Sequence, residues 1–253
     1  MKWTADITGK VKRMHELIYG GIRSSTYGIY VLDVNDEDIP QRDYTAYSVP
    51  GRSRDIHYDN GRYLNIDRTY KCAVTAENMM SAQDVISAFI GRMMRLKGYQ
   101  RIEDALHPEY FKLGEFKGSP TIKFAKGKNA ARFDLTFDCD ARKYLKSGEQ
   151  SITLASGTQT LINPETEPVF PLLVITGTGY IQIDSRRITV ASNPGTMVVD
   201  CELGDVYSQT LHENYNSRIS LNTGEFPELD SGANSITVSG LSSCEITPRW
   251  CKL

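Results

Sequence analysis

Residues 172–201 read LLVITGTGYIQIDSRRITVASNPGTMVVDC. Short apolar or alternating runs (172–175, 180–184, 188–190 and 197–201) alternate with breakers, Gly177-Thr178-Gly179 and Asn193-Pro194-Gly195. Each run has the length of a strand, and none shows a helical period. The rhythm extends outward through 151–154 on one side and 218–221, 235–238 and 244–247 on the other. Turn signals punctuate it at Gly148, Gly157, Asn163-Pro164, Asn222-Thr223-Gly224 and Ser239-Gly240. Strands so spaced, with no helix between them, predict two packed antiparallel sheets, a sandwich or jelly roll.

Upstream the texture differs. Residues 1–135 carry 21 basic and 17 acidic side chains, net +4, whereas 136–253 carry 8 and 14, net −6. The change places a domain boundary near 133–141, inside FDLTFDCDA, and so divides the chain into 1–135 and 136–253. The first half mixes strand-like runs with one strong helix. Ser81 and Asp84 make an S-x-x-[DE] start. Val85, Ile86, Phe89, Ile90, Met93 and Met94 then gather into one apolar stripe, suited to packing on a sheet. Arg92, Arg95 and Lys97 suit the negative end of the dipole, and Gly98 supplies a stop. A second short helix is expected around 101–106, ended by Pro108. Asn60-Gly61 is the strongest hairpin signal, joining 55–59 to 62–66. Pro50-Gly51 marks an earlier turn. The chain as a whole reads as mainly β.

Composition excludes several classes. With 40 % hydrophobic residues the chain can build real cores, and a net charge of −2 lacks the basic footprint of a dedicated nucleic-acid binder. No run approaches the ~18 consecutive apolar residues of a membrane span. The first twenty residues are polar throughout and predict no secretory signal. The five cysteines (Cys72, Cys139, Cys201, Cys244 and Cys251) include no C-x-x-C pair, which argues against zinc and leaves buried thiols as the expectation.

The chain lacks G-x-x-x-x-G-K-[ST], H-E-x-x-H and G-x-S-x-G, and no G-x-G-x-x-G opens a helix. His15, His57, His107 and His212 are dispersed. Gly177-Thr178-Gly179 precedes a strand-like run, so it offers an anion no helix dipole and reads as a tight turn. Asp184, Asp200, Glu202 and Asp205 would serve a glycosidase only if two of them faced each other across a cleft. A basic run, Lys117, Lys123, Lys126, Lys128 and Arg132, has too few interleaved aromatics to stack nucleic acid and reads as a solvated or protein-contacting face. No catalytic residue, metal or cofactor is expected.

One resemblance covers nearly the whole chain. YGIYVL (27–32), SVPGR (48–52) and DIHYDNGRYLNID (55–67) are followed by LTFDCDARKYLKSGEQSI (135–152) and NPETEPVFPLLVITGTGYIQI (163–183). MVVDCELGDVY (197–207), GEFPELDSGANSITVSG (224–240) and EITPRWCKL (245–253) complete the series. In this order they resemble the distal tail protein (Dit) family of long-tailed phages infecting mainly Gram-positive bacteria, and of related prophages. Two positions depart from the family pattern: Arg54 stands where a glycine is usual, and Asp184-Ser185-Arg186 replaces an Asn-Gly turn.

The resemblance implies an N-terminal β-sandwich-like domain with one helix that assembles into a hexameric ring, and a C-terminal galectin-like β-sandwich projecting from it. The implied role is a virion hub at the tail tip, made in the host cytoplasm and without membrane insertion. Its implied partners are further copies of itself, the tail tube protein, a tail-associated lysin- or fibre-type protein, and receptor-binding or baseplate proteins. DNA would pass through the lumen. Ring contacts are expected at Tyr27, Ile29, Tyr30 and Val31 and at the turn Val49, Pro50, Gly51 and Arg52. Arg249 and Trp250 are a candidate ligand or partner surface, with a core role the competing reading for Trp250. The polar segment before Tyr19 reads as an arm that orders on a neighbour. The alternative function is a carbohydrate-binding module, which would need exposed aromatics among Trp250, Tyr144, Tyr180, Tyr207, Tyr215, Phe137, Phe170 and Phe226.

Overall fold

The computed structural model describes residues 3–5, 11–13, 15–34, 39–76, 79–118, 120–124, 130–210 and 213–253. Residues 1, 2, 6–10 and 14 of the expected N-terminal arm, and Lys126, Lys128 and His212, lie outside them. The chain is mainly β, and it divides into two compact units, Met1–Lys143 and Tyr144–Leu253. The texture change at 133–141 falls inside one unbroken strand, Ala130–Leu145, whose last two residues belong to the second unit.

In the first unit an antiparallel sheet runs in the order Ile22–Arg23, Leu17–Tyr19, Gln100–Asp104, Tyr110–Phe116, Ala130–Leu145, Ile66–Thr75, Ile29–Val34. Residues 130–139 pair with 66–75 without interruption. Period-2 alternation then puts Tyr70, Cys72 and Val74 beside Ala131, Phe133, Leu135 and Phe137 on one buried face. Against it lies the helix Met79–Met93, which contributes Ala82, Ile86, Phe89 and Met93, all 0 % exposed. Their spacing of four, three and four is the period that keeps one helix face on a sheet. The helix starts two residues before Ser81, and Met94, expected in the stripe, is exposed beyond its end. Phe137 is the hub of this core, with ring centroids of Tyr19, Phe116 and Tyr70 at 5.0, 5.5 and 5.7 Å.

Two local expectations fail here for tertiary reasons. Residues 100–104 form a strand, because Leu17–Tyr19 and Tyr110–Phe116 pair with its two sides and Ile102 is buried between them. Asn60-Gly61 is no hairpin tip. Ile56–Tyr63 continues through it and pairs with Arg42–Tyr47, the register slipping between Arg42↔Tyr63 and Tyr44↔Asp59. Gly61, at φ +72°, absorbs that slip as a bulge, its N–H donating to Asp59 Oδ1 at 2.8 Å. The turn of this hairpin is instead at Pro50-Gly51. There Arg52 N–H donates to Val49 O at 3.1 Å and Gly51 sits at φ +81°, the signature of a type II turn.

The second unit is a β-sandwich built on two long strands, Leu172–Ile183 and Gly232–Thr247. Residues 172–176 pair with Thr196–Asp200, and residues 179–183 pair with Arg186–Val190. Gly177-Thr178-Gly179 is the bulge at which the strand exchanges one neighbour for the other, not a turn that ends it. Such bulges let a strand pass from one layer to the next. The bend demands glycine, since a Cβ on Gly179 would stand 2.2 Å from the Ser239 carbonyl oxygen. Asp184-Ser185 closes the following two-residue hairpin loop. Asp184 takes the left-handed conformation at φ +50°, and its Oδ1 accepts the Ser235 N–H at 2.9 Å. Aspartate there does what asparagine does in such turns.

Candidate functional site

The segment 27–32 serves this chain's own core. Ser24–Tyr27 is a short 3-10 turn stopped by Gly28 at φ +63°, after which Ile29 and Val31 point inward, both 0 % exposed. The Tyr27 ring lies 5.2 Å from Phe89, and its hydroxyl accepts Arg92 Nη1 at 3.4 Å. Tyr30 is half-buried. At Val31 the outer strand edge is already taken, because His15 and Val31 exchange backbone hydrogen bonds of 3.1 and 2.9 Å.

The turn 49–52 is different. It caps a two-stranded ribbon, Arg42–Tyr47 with Ile56–Tyr63, that exposes Tyr44 (54 %), Tyr47 (57 %), Ile56 (47 %) and Tyr58 (65 %). Besides backbone pairing, the ribbon is held by Arg42 to Asp59 at 2.6 Å, Arg62 to Asp43 at 2.7 Å and Tyr44 stacked on His57 at 4.4 Å. Both carboxylates are held below their ordinary pKa, Asp43 by Arg62 and Asn60, Asp59 by the Gly61 N–H and Arg42. An isolated hairpin is marginal in water, and this one shows four large apolar or aromatic side chains to solvent. Sequence reading found the turn but missed these residues. Their signal, apolar and aromatic side chains on both strands, was masked by Asn60-Gly61.

Arg249 and Trp250 form a clasp. Trp250 is 5 % exposed within the core of the second unit, and its carbonyl accepts Leu145 N–H at 2.8 Å. Arg249, at φ +64°, reaches Asp200 with both terminal nitrogens, Nη1 to Oδ1 at 2.8 Å and Nη2 to Oδ2 at 2.9 Å. Glu202 adds a third bond at 3.2 Å. Asp200 Oδ1 also accepts the N–H groups of Glu202 and Leu203, which shapes their turn. Burial pushes the Asp200 carboxyl up, and Arg249 with these two N–H groups more than offsets it, leaving the pKa below the usual value. The Arg249 pKa is raised, chiefly by its hydrogen bond to Asp200.

The other acids weighed for hydrolysis are also committed. Asp184 caps Ser235, and Asp205 Oδ1 accepts Asn216 Nδ2 at 2.9 Å. Of the basic run, Lys117 pairs with Asp67 at 2.6 Å. Lys123 and Arg132 border a groove of about 660 Å³ together with Asp33, Lys71, Asp134 and Thr136. Its charges are mixed, with Lys71 on Asp33 at 3.0 Å. Among the described residues no group of three His, Cys, Asp or Glu side chains could hold a metal, and no helix is long and apolar enough to cross a membrane. Of the aromatics named for sugar binding, Phe170 is 37 % exposed. Tyr215 and Trp250 are buried, Arg218 covers Tyr215 at 4.2 Å and Arg187 covers Tyr180 at 4.3 Å.

These features define a class: two mainly antiparallel β units in tandem, with a helix packed on the first. Solved phage tail structures share that fold. The chain is similar to the SPP1 Dit (gp 19.1) protein, described as a paradigm of the hub adsorption apparatus in Gram-positive infecting phages. That likeness has a TM-score of 0.73 at 12 % identity and covers 95 % of this chain and 100 % of that one. Chains of the phage P2 baseplate in its activated conformation, with Ca and with Sr, match at TM-scores of 0.51 and 0.50. Identity is 8 % in each, with 92 % of this chain and 96 % of each of those covered. No family model and no curated protein matches the sequence.

Proposed function

We propose that this chain is a non-enzymatic structural hub of a phage tail and a component of the virion. The first unit forms a hexameric ring and the second projects from it. The ring joins the tail tube to the tail-associated and adsorption proteins, and DNA passes through its lumen. The observation that carries this reading is the extent of the SPP1 Dit likeness, which takes in 95 % of this chain and all of that one. Both units, in order, take part in it. The exposed ribbon around 49–52 supports self-assembly through the first unit, with its tyrosines as the ring-contact surface. Sequence order adds support, since the family's motifs run from YGIYVL to EITPRW.

Native mass measurement and negative-stain imaging of the purified chain test the reading. A six-membered ring is expected, and a strict monomer at high concentration refutes it. A chain carrying Tyr47→Ser and Tyr58→Ser should keep its unfolding midpoint, because both side chains are more than half exposed, and lose the ring.

A further inference from the structure

Asn60-Gly61, which the fold does not use as a turn, stands where the ladder of the exposed ribbon is interrupted. Cross-strand pairing passes from Tyr44↔Asp59 to Arg42↔Tyr63, so Asn60, Gly61 and Arg62 have no place in its register. Side chains hold them instead. The Gly61 N–H donates to Asp59 Oδ1 at 2.8 Å, and Asn60 Nδ2 donates to Asp43 Oδ1 at 3.1 Å and to Thr45 Oγ1 at 3.3 Å. All three bonds are exposed, as are Asn60 and Gly61 themselves. The ribbon is a two-stranded sheet of its own, and such a pair opens readily in water.

This places a nucleophile beside an electrophile with little to keep them apart. Glycine brings no Cβ to obstruct its own nitrogen, and nothing lies within 4 Å of where one would stand on Gly61. The nitrogen follows Asn60 directly, so its attack on the side-chain Cγ closes a five-membered ring. The hydrogen bonds to Asp59, Asp43 and Thr45 oppose that closure, and they are lost together when the ribbon opens.

We propose that Asn60 is a self-modification site, deamidated by its own chain at a rate set by the opening of the ribbon. The Gly61 nitrogen forms a bond to Asn60 Cγ, the Cγ–Nδ2 bond breaks, and the side-chain amide leaves as ammonia with the proton from Gly61. Water then opens the resulting imide. Cleavage of its N–Cγ bond gives aspartate at 60, and cleavage on the main-chain carbonyl side gives isoaspartate, with the chain rerouted through the side chain. Either product removes a donor from Asp43 and sets a new carboxylate beside it, close to Asp59, so like charges then face each other across the ribbon. Asn60 shares a strand face with Tyr58, two residues earlier, so a partner covering that tyrosine also closes over the site. Deamidation is then confined to copies whose ribbon is uncovered. That last step rests on the ring contact proposed above, whereas the modification itself does not.

Peptide mass mapping of the full-length protein, incubated at pH 8 with and without urea, tests the proposal. Trypsin cuts after Arg54 and Arg62 and releases residues 55–62 as one peptide, in which a gain of ~1 Da marks the change. In the native chain at low concentration Asn60 should convert at least about tenfold faster than Asn222, which is also exposed but is followed by the branched Thr223. Asp59→Ala, which frees the Gly61 N–H, should speed the native reaction and leave the rate in urea unchanged. Gly61→Ala should slow the reaction about tenfold in urea, where no fold intervenes. Conversion of Asn60 no faster than that of Asn222 in the native chain, or no effect of Gly61→Ala in urea, overturns the proposal.

The assembled state is read separately. In isolated rings conversion should fall at least about tenfold below that of the free chain, and Asn60→Asp should lower the fraction of chain found in rings. Rings in which Asn60 converts as fast as in the free chain would overturn its protection by assembly. A chain that forms no rings yet converts Asn60 as expected would count against the ring alone.

Discussion

Replacing Arg249 with alanine removes both hydrogen bonds of its fork to Asp200. The Asp200 side chain is 7 % exposed, so its charge stays buried, whereas the guanidinium is 28 % exposed and partly hydrated. Breaking a fully buried pair from one side costs about 3–5 kcal/mol; the surface position of Arg249 and the two N–H groups still bonded to Oδ1 reduce this to about 2–3 kcal/mol. Glu202 then stands beside Asp200 with no cation between them. Because residue 249 has φ +64°, glycine there relieves a left-handed strain of about 1 kcal/mol, and Arg249→Gly should lose less than Arg249→Ala.

The pH dependence follows from the direction of the Asp200 shift. In the native protein its pKa lies below the unfolded value, so the pair's stabilisation is present above pH ~4 and is lost as pH falls through the folded pKa. Without Arg249, burial dominates and lifts the carboxyl, so acidification relieves the variant. The difference between the two proteins should therefore shrink from pH 7 towards pH 4. Urea unfolding followed by fluorescence reads this well, since Trp250 is adjacent and buried. A double-mutant cycle with Asp200→Asn should give a coupling of at least about 1 kcal/mol. A loss below about 0.5 kcal/mol at pH 7, or one that grows towards pH 4, would refute the reasoning.

Two further outcomes are expected. Gly179→Ala drives a Cβ to 2.2 Å from the Ser239 carbonyl oxygen, against backbone that cannot swing away, and should destabilise the second unit by more than about 3 kcal/mol in urea unfolding. Gly195→Ala, with nothing within 4 Å of the new methyl, is the neutral control. Burial pushes the thiols of Cys139, Cys201 and Cys244 up to about 12, and that of Cys72 higher still. Ellman's reagent at pH 8 should therefore find no fast thiol in the native protein and five after denaturation; one fast thiol before unfolding would contradict the packing.

Several elements were legible in the residues themselves. The stripe through Ile86, Phe89 and Met93 predicts a helix lying on a sheet, because the period of a side-chain pattern is a local property of the chain. Buried cysteines followed from strand-like surroundings and the absence of C-x-x-C. Pro50-Gly51 marked a turn, and the breakers of the second half marked its strands. The illegible parts are those in which one segment's state is set by another. Residues 100–104 have helix-compatible composition and become a strand because two other strands take up their hydrogen bonds. Asn60-Gly61 carries the strongest local turn signal and yields to the pairing of Arg42–Tyr47 with Ile56–Tyr63. Arg249 looked like a surface group until the fold brought Asp200, 49 residues away, against its guanidinium.

The amino-acid sequence by itself determined the β class, the single long helix, the shift from a basic to an acidic half and, through the order of its motifs, the resemblance to phage distal tail proteins. Only the tertiary structure decided which strands are edges, which aromatics are left uncovered and which charges are already paired. The physical reason is range. Side-chain period and turn preference act over a few residues. Pairing across a sheet joins segments tens of residues apart, and exposure exists only once every partner has been placed.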